Sequence, residues 1–228
     1  MKNLILISLF VCAAFITVSA KANLLVDPGF ESNPLTTDVA VINTPNPMLP
    51  GVWGQENSTI VGAEFTVTPA QGVNMLRMEN TGSYTQTFQA TDVTSYAALI
   101  DAGGATVNIN ALFNANPKIP AALGGIGVSF FTASNYGSLT SFISNTLTLD
   151  NAPGTWQPIS VSGTIPAGTR WLLSQVYFQD STLQGAPPDP TYYGGYVDAA
   201  DLTIVPEPAT MVLLGIGALS LMRKRTVR

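Results

Sequence analysis

No histidine occurs in the chain, and its one cysteine is Cys12. The first absence removes Ser-His-Asp and Cys-His nucleophilic centres and every histidine-containing zinc site. The second leaves everything after residue 12 without disulfides or a thiol nucleophile. Charge is scarce as well: Asp, Glu, Lys and Arg make up 10% of 228 residues, against about a quarter in an ordinary domain. Of nine basic residues, Lys2 and Lys21 lie at the start, and Arg223, Lys224, Arg225 and Arg228 at the end. The middle keeps only Arg77, Lys118 and Arg170 against nearly all of the fourteen acids. Such an acidic body repels phosphate backbones, which argues against nucleic acid as a partner. It suits calcium, neutral glycans or plain solubility. Long amphipathic helical patterns and fixed-period repeats are missing too.

What is present is short, alternating and apolar. In "ATVNINALF", Val107, Ile109, Ala111 and Phe113 fall on one face and Thr106, Asn108 and Asn110 on the other. "PISVSGTI" separates Ile159, Val161, Gly163 and Ile165 from Ser160, Ser162 and Thr164 in the same way. Period two with one dry face is the mark of a half-buried strand. "STIVGAEFTV", "NMLRME", "YTQTFQA", "GVSFF", "RWLLSQVYF" and "GYVDAADLTIV" are further strand candidates, separated by turns rich in Gly, Pro, Asn and Asp. Many strands without helices predict one all-β domain over residues 23–204, an antiparallel sandwich. The Pro-rich stretches near residues 43 and 180 read as loops inside it, the second as a possible lid at a binding edge.

The two ends read as addresses. Lys2, the apolar run Leu4–Val18 and Ala20-Lys21-Ala22 have the order of a signal peptide over residues 1–22. An N-terminal anchor helix is the competing reading, opposed by the shortness of the run. Cys12 follows Val11 and sits within the apolar run, which makes it a poor lipoprotein site. At the other end, Ala209–Met222 is apolar or small apart from Thr210 and Ser220. As a helix it reaches about 21 Å, short of a hydrocarbon core of about 30 Å. A helix packed on the domain is the alternative, but the run has no polar stripe. It ends in Arg223, Lys224 and Arg225, a stop-transfer cluster that agrees in topology with the signal peptide. A locally thinned bilayer would accommodate the short span for a time. Pro206 and Pro208 keep the strip before it extended and non-helical, with Glu207 displayed between them.

"VPEP", the apolar run and "RKR" together resemble the PEP-CTERM sorting signal of Gram-negative bacteria, over residues 205–228. The resemblance implies recognition by an exosortase and removal of the tail. It implies transient residence in the inner membrane, then delivery to the cell surface or extracellular polysaccharide matrix. The body has a weaker resemblance, to jelly-roll carbohydrate-binding modules with a galactose-binding-like fold. It rests on Asp27-Pro28-Gly29-Phe30-Glu31 near the mature start and Tyr196-Val197-Asp198-Ala199-Ala200 in the last strand, where Ala199 replaces a usual acid. That resemblance implies a jelly-roll sandwich whose first strand carries the Asp27–Glu31 stretch. It also implies a structural calcium held by Glu31 and Asp198 with backbone carbonyls. No other cofactor is called for.

A glycan needs aromatic platforms beside amides and carboxylates. Trp53, Tyr192 and Tyr193 are the ligand-facing candidates, with Tyr84 and Tyr196 behind them. Trp156 and Trp171 flank alternating strands and read as core. Association with exopolysaccharide is the expected role, without catalysis. A purely structural or adhesive sandwich is the alternative. A carboxylate-pair glycosidase is the third reading, but no spacing marks a pair of acids. The sequon Asn57-Ser58-Thr59 carries little in a bacterium. Protein recovered from the cell surface is expected to lack the "MRKRTVR" end, and Glu207→Ala to retain it. C-terminal mass spectrometry checks both, and an intact tail on surface protein would contradict processing.

Overall fold

The computed structural model describes residues 22–32, 49–56, 58–78, 84–115, 122–150, 152–179 and 195–206. Tyr192, Tyr193, Glu207, Pro208, the Arg223–Arg225 cluster and both expected terminal helices lie outside them. Among the described residues no helix is long and apolar enough to cross a membrane.

Among the described residues ten strands form the body: β1 Trp53–Glu56, β2 Ser58–Val61, β3 Met75–Met78, β4 Tyr84–Asp92, β5 Ala105–Ala115, β6 Leu123–Phe131, β7 Leu139–Thr148, β8 Gln157–Thr164, β9 Trp171–Gln179 and β10 Gly195–Pro206. One short helix, α1 (Ala97–Asp101), precedes β5. Two five-stranded antiparallel sheets result. Sheet A runs β1-β4-β9-β6-β7 and sheet B runs β2-β3-β10-β5-β8. Only the β2–β3 and β6–β7 connections stay within a sheet; the others cross between sheets. The expected all-β, two-sheet antiparallel body is therefore present.

Alternation builds the layer between the sheets. Val107, Ile109, Ala111 and Phe113 of β5 are all buried, as are Ile126, Val128 and Phe130 of β6 and Leu172, Val176 and Phe178 of β9. Phe113 and Phe178 meet across the gap with ring centroids 5.7 Å apart. Gly124 lies against Phe113: a Cβ there would come within 2.9 Å of the ring. Burial of this apolar set is the main stabilising term.

Two smaller apolar clusters lie away from the main core. Phe88, Ala90, Phe131 and Leu173 form one, with Trp171 packed on it. Val67, Met75 and Tyr196 form the other, packed by Val61 and Trp156. Trp156 and Trp171 are thus half-buried members of these satellites. The stretch "STIVGAEFTV" is a strand only over its first part; residues 62–74 are irregular, with one Glu64–Val67 bridge. Asp101, on α1, makes a two-point ion pair with Arg170 beside the start of β9 (2.6 and 3.1 Å), and that bond holds its carboxyl below the usual range.

Candidate functional site

Two places gather polar chemistry. The first is a bulge in β10. Its pairing with β5 runs in step to Asp198 and resumes at Asp201. Val197 faces the main core before the bulge; Ala200, Leu202 and Ile204 face it afterwards. The inward parity changes from odd to even, as one extra residue requires. Ala199 takes the strain, at φ +52°.

Asp198 is fully buried at this bulge. Its Oδ2 accepts the backbone N–H groups of Ala70 (2.7 Å) and Gln71 (3.0 Å), and its Oδ1 accepts that of Ala199 (2.7 Å). Glu31 does the same work one turn further along the loop. Its Oε1 accepts from Val73 (3.0 Å) and Asn74 (3.2 Å), and its Oε2 from Val73 (3.2 Å). Gly72 is obligatory between them, because it sits at φ +65° and a Cβ would lie 1.9 Å from Glu31 Oε1. Asp27 closes the turn below, its carboxylate accepting from the N–H groups of Glu31 (2.8 Å) and Ser32 (3.0 Å).

The Asp27–Glu31 stretch is therefore a turn, not the strand implied by resemblance. Asp27 and Phe30 are left-handed, at φ +50° and +56°. The turn is docked on β10 through Ala200 N to Pro28 O (2.9 Å) and Leu24 N to Leu202 O (2.8 Å). Trp53 holds it from beneath. Its ring centroid is 5.0 Å from that of Phe30, and its Nε1 donates to Asp27 O (3.0 Å). At 5% exposure Trp53 offers no face to a sugar. The expectation of a ligand-facing Trp53 is corrected: the side chain is a structural wedge. Tyr196, also named as a platform, is fully buried, and its hydroxyl donates to Glu64 (3.1 Å).

Glu31 and Asp198, the residues named as calcium ligands, bind adjacent stretches of one loop, residues 70–74, and the charge of Glu31 is felt at Asp198. In charge and donor type they fit a hard cation. Each has one oxygen carrying two N–H donors and one carrying a single donor. By two lone pairs per oxygen, one accepting direction remains on Asp198 Oδ1 and one on Glu31 Oε2. Backbone carbonyls would have to supply the rest of a shell. Among the described residues, no three His, Cys, Asp or Glu side chains gather as a metal cluster.

The second place is the outer face of sheet A, which reading the sequence missed. Gly125 and Gly127 put no side chain on this face of β6. Across β9 they pair with Tyr177 and Gln175, and across β7 with Thr146 and Ser144. Neighbouring side chains lean over the bare backbone. A Cβ on Gly125 would lie 2.1 Å from Tyr177 Cζ, and one on Gly127 would lie 3.7 Å from Phe142 Cε2. Burial pushes the Tyr177 phenol up from its ordinary value, opposed by its hydrogen bond with Ser144. Phe142 keeps 57% of its surface exposed. Gln175 Nε2 donates to Gln86 Oε1 (2.5 Å), so an amide pair runs diagonally between the Gly127 and Gly125 rows. The signal was available: "LGGIGVSFF" carries glycine at alternate positions of a strand, which marks close approach of something to the backbone.

The chain continues from β10 straight into its sorting strip, since Val205 and Pro206 are the last paired residues of the strand. Residues 205–225 match the PEP-CTERM protein-sorting motif. That motif implies an exported protein processed by an exosortase. No curated protein matches the chain. Among solved structures, the Family 16 Carbohydrate Binding Module-2 is 15% identical, with a TM-score of 0.44, covering 80% of this chain and 99% of its own. The CBM22-2 xylan-binding domain of Paenibacillus barcinonensis Xyn10C is 18% identical, with a TM-score of 0.41, covering 68% and 91%. The active domain of bacteriophage CBA120 tailspike protein 4 is 8% identical, with a TM-score of 0.42; the chain covers 19% of it. At these identities and scores, the likenesses carry no information on ligand or chemistry.

Desolvation of the Asp198 carboxylate raises its pKa above the ordinary 3.8. The N–H donors of Gln71, Ala199 and Ala70 oppose the rise, and the charge of Glu31 adds to it. The folded state then holds this proton more tightly than the unfolded chain. Its contribution to stability is full below the unfolded value and is lost as pH rises through the folded one. Denaturant unfolding of wild type and Asp198→Asn from about pH 3 to 7 is the measurement. The wild-type advantage is expected to shrink as pH rises; a constant or growing gap would contradict the assignment.

Proposed function

We propose that this is an exported surface or matrix protein whose sandwich associates with extracellular polysaccharide through the outer face of sheet A, without catalysing its breakdown. The observation that carries the reading is Phe142, a large aromatic left exposed beside Gly127, with the Gln175–Gln86 amide pair on the same face of the sheet. Sugar rings offer an apolar face to an aromatic and hydroxyls to amides, so the two groups together suit a neutral glycan. The sorting motif supports delivery to the compartment where such polymers are found. Tyr192 and Tyr193, in the segment before β10 in sequence, remain proposed contacts. Weak single contacts gain strength from many copies on one surface.

Affinity electrophoresis against a panel of neutral and acidic exopolysaccharides tests this. Wild-type protein is expected to be retarded, and Phe142→Ala to bind about tenfold more weakly, which is about 1.4 kcal/mol. Its unfolding midpoint should barely move, because the removed ring is exposed. A panel without retardation would favour the purely structural or adhesive role, and hydrolysis of any polymer would overturn the non-catalytic reading.

A structural calcium at Glu31 and Asp198 is the second proposal. Its support is the mutual repulsion of the two carboxylates, which a cation between them would relieve. Addition of millimolar calcium is expected to raise Tm and a chelator to lower it. An unchanged Tm in both directions would show that the N–H donors suffice.

A further inference from the structure

The four edges of the two sheets are not alike. β1 and β2 are four residues each, and β8 carries Pro158 near its start. Short strands and proline are ordinary ways to blunt an edge. β7 has neither. It is ten residues long, "LTSFISNTLT", without charge or proline, and every residue but Ile143 is exposed. Among the described residues it pairs with β6 alone. A bulge disturbs only its first end, where Phe131 faces Leu139 and Phe130 faces Ser141; Ser141–Thr148 pair regularly. Its free side therefore presents about five C=O and four N–H groups in strand spacing, a fifth N–H, that of Thr146, being taken by Asn145 Oδ1 (2.9 Å). Leu139 and Leu147 are 43% and 36% exposed beside them.

Charge says what fits there. Between Asp101 and Asp180 the chain has one acid, Asp150, of its fourteen. That span contains β5 to β9 entire. The remaining acids all come from the segments before and after it. Two copies of so acidic a body repel one another wherever acids face acids, and the β7 edge is the uncharged rim. We propose that β7 is a self-association edge: two copies join β7 to β7, antiparallel across a twofold axis, making one continuous ten-stranded sheet from two copies of sheet A. Antiparallel self-pairing matches each unpaired N–H with a C=O of the same strand in the partner. A register centred on Asn145 sets Ile143 of each copy opposite Leu147 of the other. The proposal does not depend on the glycan reading, because Ser141 and Leu147 lie on the opposite side of the pleat from Phe142 and Ser144.

Sedimentation velocity of the exported protein over a range of concentrations tests it. The expected result is a concentration-dependent dimer. The double variant Ser141→Lys plus Leu147→Lys is expected to sediment as a monomer with its glycan binding per copy kept. Val73→Lys, at a still more exposed apolar position on the loop beside β3, should leave the dimer intact. Hydrogen exchange on wild type removes any dependence on how the variants fold. Amides of residues 139–148 should be protected at high concentration and lose protection on dilution, while those of β2 and β8 stay unchanged. A wild-type monomer at every concentration, a mixed complex with another protein in place of the dimer, or β7 amides indifferent to dilution would each overturn the proposal.

Discussion

A buried carboxylate has to be answered by donors, and the closed end of this sandwich is arranged around that requirement. Asp198 sits where β10 breaks register, and its oxygens take three backbone N–H groups, two of them from residues 70 and 71. Those bonds bring an irregular loop down onto sheet B, where Val67 completes a small apolar cluster with Met75 and Tyr196. Glu31 repeats the pattern from the N-terminal turn, and Asp27 caps the turn that carries it. Leaving such a group unpaired costs several times what a paired one contributes. The loops around Asp198 are thus held by the cost of the alternative more than by their own packing.

Sheet A is built by the opposite logic. Its outer face depends on side chains that are missing, at Gly125 and Gly127, and on the aromatic groups that lean into the space. Tyr177 closes one position almost completely, while Phe142 leaves the next half open. One sandwich therefore carries a rigid polar junction on β10 and an adaptable aromatic strip on the outer face of sheet A.

How much of this was legible depends on which faces are dry. β5 and β8 could be read residue by residue, because one side of each strand packs on the core and the other does not. β7 could not be read: with both faces wet, its sequence has no period to detect. The Asp27–Glu31 stretch looks apolar enough for a strand, but its left-handed residues answer to a bulge more than 160 positions away. The pairing of Glu31 with Asp198 was visible only through resemblance; no spacing in one chain foretells a contact across the sheet. Trp53 shows the limit of composition. A Trp beside Pro and Gly fits a sugar platform as well as a wedge, and the choice is made by Phe30 packed against it. The Phe142 strip was hidden because its mark is two glycines on a different strand.

The docking of the N-terminal segment has a mechanical consequence. Asn23 bonds Ala200 and Leu202 through its side chain, and the chain leaves the sheet four residues later at Pro206. Both ends of the domain thus issue from one strand, within about 13 Å along it. That strand pairs with β5 along nearly its whole length and with β3 only at Tyr196 and Val197. Tension arriving from beyond Pro206 therefore meets the β5 ladder on one side and the Asn23 and Leu24 bonds to Leu202 on the other. A pull on the C-terminus is thus also a pull on the N-terminal turn, because both are tied to the same stretch of strand.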